Sequence, residues 1–171
     1  MNYHKIEKHS IANGFGIRVV LWASGCSLHC KGCQNPSTWD FSSGRLFGRD
    51  AEKELLEALK QPYIKGITFS GGHPLECSNA PCIYELIQKI KTQLPEKDIW
   101  LYTGLQLSIK DFQVSDQLIN NILRLCDVVV DGPYIEAQKD ITLKFRGSKN
   151  QRLIDVKETL KQNQIITLQN D

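Results

Sequence analysis

Apolar positions in this chain fall in short blocks whose spacing alternates between that of a buried strand and that of a helix. Residues 17–24 (IRVVLWAS) are β-branched and apolar, the composition of a buried strand, and they run into Gly25 and a cysteine-rich loop, 26–39. Ala51, Leu55, Leu56 and Leu59 share one helical face, with Asp50 placed to cap its start. Residues 65–70 (KGITFS) predict a second strand, stopped by Gly71-Gly72. Ile83, Leu86, Ile87, Ile90 and Leu94 then predict a helix that Pro95 ends. Residues 98–103 (DIWLYT) are a third strand, 115–125 a third helix capped by Ser115, and 126–131 (CDVVVD) a fourth strand closed by Gly132-Pro133. In the tail, 152–156 and 164–168 predict short strands around a brief helix.

Strands alternating with helices build a parallel sheet from βαβ units. The expected class is therefore α/β with a mostly parallel sheet. A closed eight-stranded barrel takes ~250 residues, so a chain of 171 residues forms only part of one, with an open side. Such sheets carry their chemistry at the C-terminal ends of the strands. The cysteine loop, Gly71-Gly72 and Asp131-Gly132 each follow a strand and so gather at one rim.

The length suits a single domain spanning 1–171, and 41% hydrophobic with 23% charged residues is a globular balance. A net charge of +2 with interspersed signs predicts neither a nucleic-acid surface nor a polybasic membrane anchor. No apolar run approaches the ~20 residues of a membrane span, and residues 1–8 lack the apolar stretch of a signal peptide. The expected location is the cytoplasm, where thiols stay reduced. Six cysteines there point to metal binding or redox chemistry before disulfides.

Three residues separate Cys26 from Cys30, and two separate Cys30 from Cys33. Thiolates this close can reach three corners of one cluster. A fully protein-ligated [4Fe–4S] cluster takes four thiolates, and no fourth cysteine lies in this loop. One iron is then left open to a ligand. Zinc is the rival reading, with His29 or His73 completing four ligands; a disulfide is the other. Cys77 and Cys82 read either as ligands of a further metal or as small inert side chains. Cys126 opens an apolar strand and belongs to the core. His4, His9 and His29 have no partner pattern of their own.

This C-x₃-C-x₂-C loop after a strand resembles the radical S-adenosylmethionine superfamily. The resemblance implies a [4Fe–4S] cluster on Cys26, Cys30 and Cys33, with the methionyl amino and carboxylate groups of S-adenosylmethionine on the open iron. One electron then breaks the sulfonium C–S bond and yields a 5′-deoxyadenosyl radical. Gly71-Gly72 matches the superfamily's Gly-Gly-acid turn, which binds the methionyl amino group, and glycine there lets backbone come close. The third position is His73, which lacks the fixed charge of a carboxylate. Either the carbonyls suffice, or Glu76 substitutes, or cofactor binding is weakened. The segment Asn13-Gly14-Phe15-Gly16-Ile17-Arg18 resembles the glycine-rich stretch of glycyl-radical-enzyme activases, with Arg18 either a structural ion pair or a substrate contact.

A polar stretch near the C-terminus holds Arg146, Lys149, Asn150, Gln151 and Arg152 close together after Asp131-Gly132-Pro133-Tyr134 and Asp140. It reads as a solvated turn, or as a donor-rich surface for carboxylates or a partner chain. Asn35, Thr38-Trp39, Leu101-Tyr102-Thr103-Gly104, Asp131-Gly132 and Phe145-Arg146-Gly147-Ser148-x-Asn150-Gln151-Arg152 together resemble the anaerobic ribonucleoside-triphosphate reductase-activating family, from about Asn13 to Arg152. That resemblance implies a radical enzyme that generates a glycyl radical on the large reductase subunit. It also implies S-adenosylmethionine contacts from Gly32, Cys33, Gln34, Gly71, Gly72 and His73, and electrons from a flavodoxin-like donor. The alternatives are an activase for another glycyl radical enzyme, such as pyruvate formate-lyase, and a non-catalytic iron–sulfur or zinc protein that binds a partner.

Overall fold

A computed structural model of the chain describes residues 1–113 and 117–168. Seven strands form one sheet: β1 (Asn2–Ser10), β2 (Ile17–Ala23), β3 (Arg45–Leu46), β4 (Ile64–Gly71), β5 (Asp98–Tyr102), β6 (Val128–Asp131) and β7 (Arg152–Asp155). Their order is β3-β1-β2-β4-β5-β6-β7, so the sheet is open, with β3 and β7 at its edges. Four α-helices accompany it: α1 (Arg49–Leu59), α2 (Ala80–Gln93), α3 (Gln117–Leu125) and α4 (Val156–Gln162).

The four central strands β2, β4, β5 and β6 run parallel, as the βαβ pattern predicts. The flanks do not. β1 pairs antiparallel with β2 and with β3, and β7 pairs antiparallel with β6. The sheet is open and mixed, with the expected parallel strands at its centre and antiparallel strands added at both flanks. Between β1 and β2 the reason is local: the short link, residues 11–16, can return a strand only antiparallel, because a parallel neighbour needs a long crossover.

Alternation along each strand sorts side chains onto two faces. Val19, Leu21, Ile67, Phe69, Ile99, Leu101 and Val129 are fully buried in the main core, packed with the apolar stripes of α1, α2 and α3. Trp100, Val128, Val130 and Leu153 make a second, smaller cluster, with Tyr102, Phe145 and Leu168 against it. The helix stripes on Leu55 and Leu59, and on Ile83, Leu86, Ile87 and Ile90, are buried as their spacing requires. Leu56 is only partly buried.

One cap differs from expectation. Gly48, not Asp50, precedes α1; Asp50 lies within its first turn, where a carboxylate favours the helix dipole. Ser115 lies outside the described residues. In the tail, β7 and α4 form as expected, with Asp155 accepting from the Glu158 amide at 2.9 Å. The strand expected over 164–168 reduces to one bridge, Ile154 to Thr167. Cys126 is buried, as its apolar strand implied. No helix among the described residues is long and apolar enough to cross a membrane.

Candidate active site

The C-terminal ends of β2, β4, β5 and β6 converge on a cavity of about 180 Å³. Cys26, Cys30 and Cys33 all line it, as do Gln34, Gly71, Gly72 and His73. Of the residues singled out from sequence as cofactor contacts, Gly32 alone is not part of the lining. Its backbone sits at φ +75°, and a Cβ there would lie 3.0 Å from Glu136 Oε1 and 3.2 Å from the Tyr134 ring. Gly32 thus lets the loop pack against the segment after β6.

Glycine also brings the two central loops together. Gly71 has φ +97°, and an added Cβ would lie 2.6 Å from the Ala23 carbonyl oxygen. At Gly72 an added Cβ would overlap the Gly25 carbonyl. With neither present, the Gly72 amide donates to Ala23 O and the His73 amide to Gly25 O, both at 2.8 Å. The cysteine loop is closed on its other side by Gly25 N to Thr38 O (2.8 Å) and Cys26 N to Trp39 O (3.0 Å). The Asn35 amide lies 3.4 Å from the Cys33 sulfur.

Asn79 joins both loops from below. It stands before α2 without capping it; its buried Nδ2 donates instead to Ser24 O (2.8 Å) and His73 O (3.1 Å). Its only sequence signal was a polar residue ahead of a helix, which reads as a cap.

Cys26 is half-buried, and that burial pushes its thiol up, against the pull of the Leu28 and His29 amides. Bound metal reverses that balance by stabilising the thiolate. Among the described residues no three His, Cys, Asp or Glu side chains converge tightly enough to hold a single ion. His29 packs at a tilt against Trp39, ring centroids 4.8 Å apart, and His73 bonds to Thr103, and neither belongs to such a group. Nor do Cys77 and Cys82 belong to such a group.

His73 is buried, and its Nε2 lies 2.8 Å from Thr103 Oγ1, which also lines the cavity. Its Nδ1 lies 3.4 Å from Glu76 Oε1. Glu76 is held by Ser27, whose amide (2.8 Å) and hydroxyl (2.6 Å) both donate to Oε1, and it does not line the cavity. Burial alone would raise the Glu76 carboxyl, but the Ser27 and His73 contacts outweigh it and hold it below the usual range. For His73, burial pushes the imidazole down, with Glu76 pulling the other way.

Two arginines prove structural. Arg18 is fully buried and ion-paired with Asp98; it also donates to Thr68 Oγ1 (2.8 Å) and Ile67 O (2.7 Å). Arg152 donates to the buried Asp131 (Nε to Oδ1, 3.0 Å; Nη2 to Oδ2, 2.5 Å) and to Leu107 O (2.7 Å). The expected donor-rich surface is largely turned inward. Asn150 donates to Pro133 O, while Gln151 donates to Gly132 O and accepts from the Gly147 and Ser148 amides. Gly132, Gly147 and Gln151 line the cavity, so this knot forms one of its walls.

Residues 12–154 match a family model described as a 4Fe-4S single cluster domain. Three curated relatives are anaerobic ribonucleoside-triphosphate reductase-activating proteins. The one from Vibrio cholerae serotype O1 is 42% identical over 153 residues, covering 88% of this chain and 96% of that protein. The one from Enterobacteria phage T4 is 43% identical over 155 residues (90% and 93%), and that from Escherichia coli K12 is 41% identical over 156 (88% and 96%).

Proposed function

We propose an activity from the family to which the chain belongs, the anaerobic ribonucleoside-triphosphate reductase-activating proteins: it is the enzyme that installs a glycyl radical on that reductase. The observation that carries the reading is the donor set. Three thiols line one cavity at the rim of the parallel strands, beside a Gly71-Gly72 turn whose backbone a Cβ would fill, with no fourth cysteine in the lining. That set fits a [4Fe–4S] cluster held by Cys26, Cys30 and Cys33 with one iron left for S-adenosylmethionine. Held by Cys26, Cys30 and Cys33, the cluster would supply the electron for reductive cleavage of S-adenosylmethionine, the chemistry that would lead to the glycyl radical on the reductase.

The chain's own residues bind and orient. Gly71 and Gly72 bring backbone close to the methionyl end; Cys33, Gln34 and His73 lie beside it. Trp22, Leu28, Trp39 and Tyr134 supply apolar surface to the same cavity. The sheet, helix-covered on its main core face, reads as part of a barrel, and its open side suits a glycine delivered on a protein loop. In this reading residues 1–171 act as one radical S-adenosylmethionine domain in the cytoplasm, served by a flavodoxin-like donor.

The test is electron paramagnetic resonance on the anaerobic reductase after incubation with reduced, cluster-loaded protein and S-adenosylmethionine. A glycyl doublet that requires all three components is expected. Its absence, with cluster and reductase both intact, overturns the reading.

A further inference from the structure

Among the described residues, no Asp, Glu, Lys or Arg side chain lines the cavity. A ligand with a cationic amino group would therefore meet no carboxylate directly. Behind the Gly71-Gly72 turn, the carboxylate connected to the lining is Glu76, one imidazole away, at 3.4 Å from His73 Nδ1. Beyond the ring stands Thr103, with Oγ1 at 2.8 Å from His73 Nε2 and the Leu105 amide donating to the same oxygen at 3.2 Å.

One proton arrangement satisfies every group. Glu76 is an ionised acceptor, so Nδ1 must carry the proton that faces it. Burial keeps the ring neutral, so Nε2 accepts, and the Thr103 hydroxyl donates to it. Leu105 N occupies one lone pair of Thr103 Oγ1. The other is left, on a residue that lines the cavity and whose hydroxyl the Glu76 charge polarises through the ring.

We propose that the chain Glu76–His73–Thr103 is a positioning relay that presents Thr103 Oγ1 as the acceptor for the amino group of the bound cofactor. The carboxylate thus acts at second hand, from a site anchored to the cysteine loop through Ser27. This inference rests on the S-adenosylmethionine reading above.

The experiment is equilibrium binding to cluster-loaded full-length protein, kept oxidised so that no cleavage occurs. Two ligands are compared, S-adenosylmethionine and its analogue lacking the amino group, each with wild type, Thr103→Val and Thr103→Ser. Thr103→Val should weaken S-adenosylmethionine binding roughly tenfold, as for a hydrogen bond to a charged group. It should leave affinity for the deaminated analogue unchanged, and Thr103→Ser should restore the loss. Glu76→Gln should show the same selectivity for the amino group at a smaller factor. An equal loss for both ligands, no loss at all, or failure of serine to rescue overturns the relay alone. If wild-type protein with a full cluster binds no S-adenosylmethionine, the parent reading falls and the relay with it.

Discussion

In the loop 26–39, the side chains of Cys26, Cys30, Cys33, Gln34 and Asn35 line the cavity. In the segment 131–152, Asp131, Asn150, Gln151 and Arg152 bond to one another's surroundings: Arg152 to Asp131 and Leu107, Asn150 to Pro133, Gln151 to Gly132, Gly147 and Ser148. Both stretches are equally dense in polar, glycine-bearing pattern. The first turns its thiols to the cavity with no side-chain partner beyond backbone amides such as that of Asn35; the second pairs most of its polar groups within the chain, Arg146 Nε and Asn150 Oδ1 excepted. A motif whose polar groups are already satisfied shapes the wall of a site, while one whose groups are left open holds the ligand.

Substitutions can break that contrast, and the largest effect should come from the cysteine loop. Cys30→Ala leaves two thiols for the cluster, so iron content after anaerobic reconstitution should drop to background. Because Cys30 makes no described core contact, the unfolding midpoint of the apo protein should stay close to wild type. Arg152→Ala should do the reverse. It strands the fully buried Asp131 carboxylate, at a cost of about 3 kcal/mol. For a domain of this size that lowers the midpoint by roughly 6–12 °C, and iron per folded molecule should hold. If Arg152→Ala instead keeps its stability and loses only reductase activation, the segment is a docking surface after all.

Gln151→Ala removes four hydrogen bonds from the cavity wall and should cost about 1–2 kcal/mol by chemical denaturation. It should also weaken S-adenosylmethionine binding, because Gly132 and Gly147 line the cavity and depend on it. The smallest effect belongs to pH. Burial depresses the folded-state pKa of His73, so the unfolded chain takes up that proton first as pH falls below the ordinary imidazole value of 6.5. Stability should therefore decline from about pH 6.5 downward, and His73→Asn should flatten that part of the profile. An unchanged profile in His73→Asn would assign the decline to other groups.

What the sequence made legible follows from how local each signal is. The strands over β2, β4, β5 and β6 and the helices α1 and α2 read directly, because apolar runs and 3.6-residue stripes are contained within each element. The three cysteines read for the same reason. β1 did not: Asn2–Ser10 carries mixed polar residues, and its place is set by pairing with β2 and β3. The arginines were ambiguous because their partners are remote. Arg18 reaches a residue 80 positions away, and Arg152 one 21 away. His73 is the clearest case. Its identity was visible as a departure from an acid, but its link to Thr103, 30 residues on, exists only in the fold.

The most direct measurement is 5′-deoxyadenosine formation from S-adenosylmethionine by anaerobically reconstituted, chemically reduced protein. Product is expected from wild type and Arg152→Ala, and none from Cys30→Ala. A wild-type protein with a complete [4Fe–4S] cluster that forms none, even with the reductase present, would contradict it.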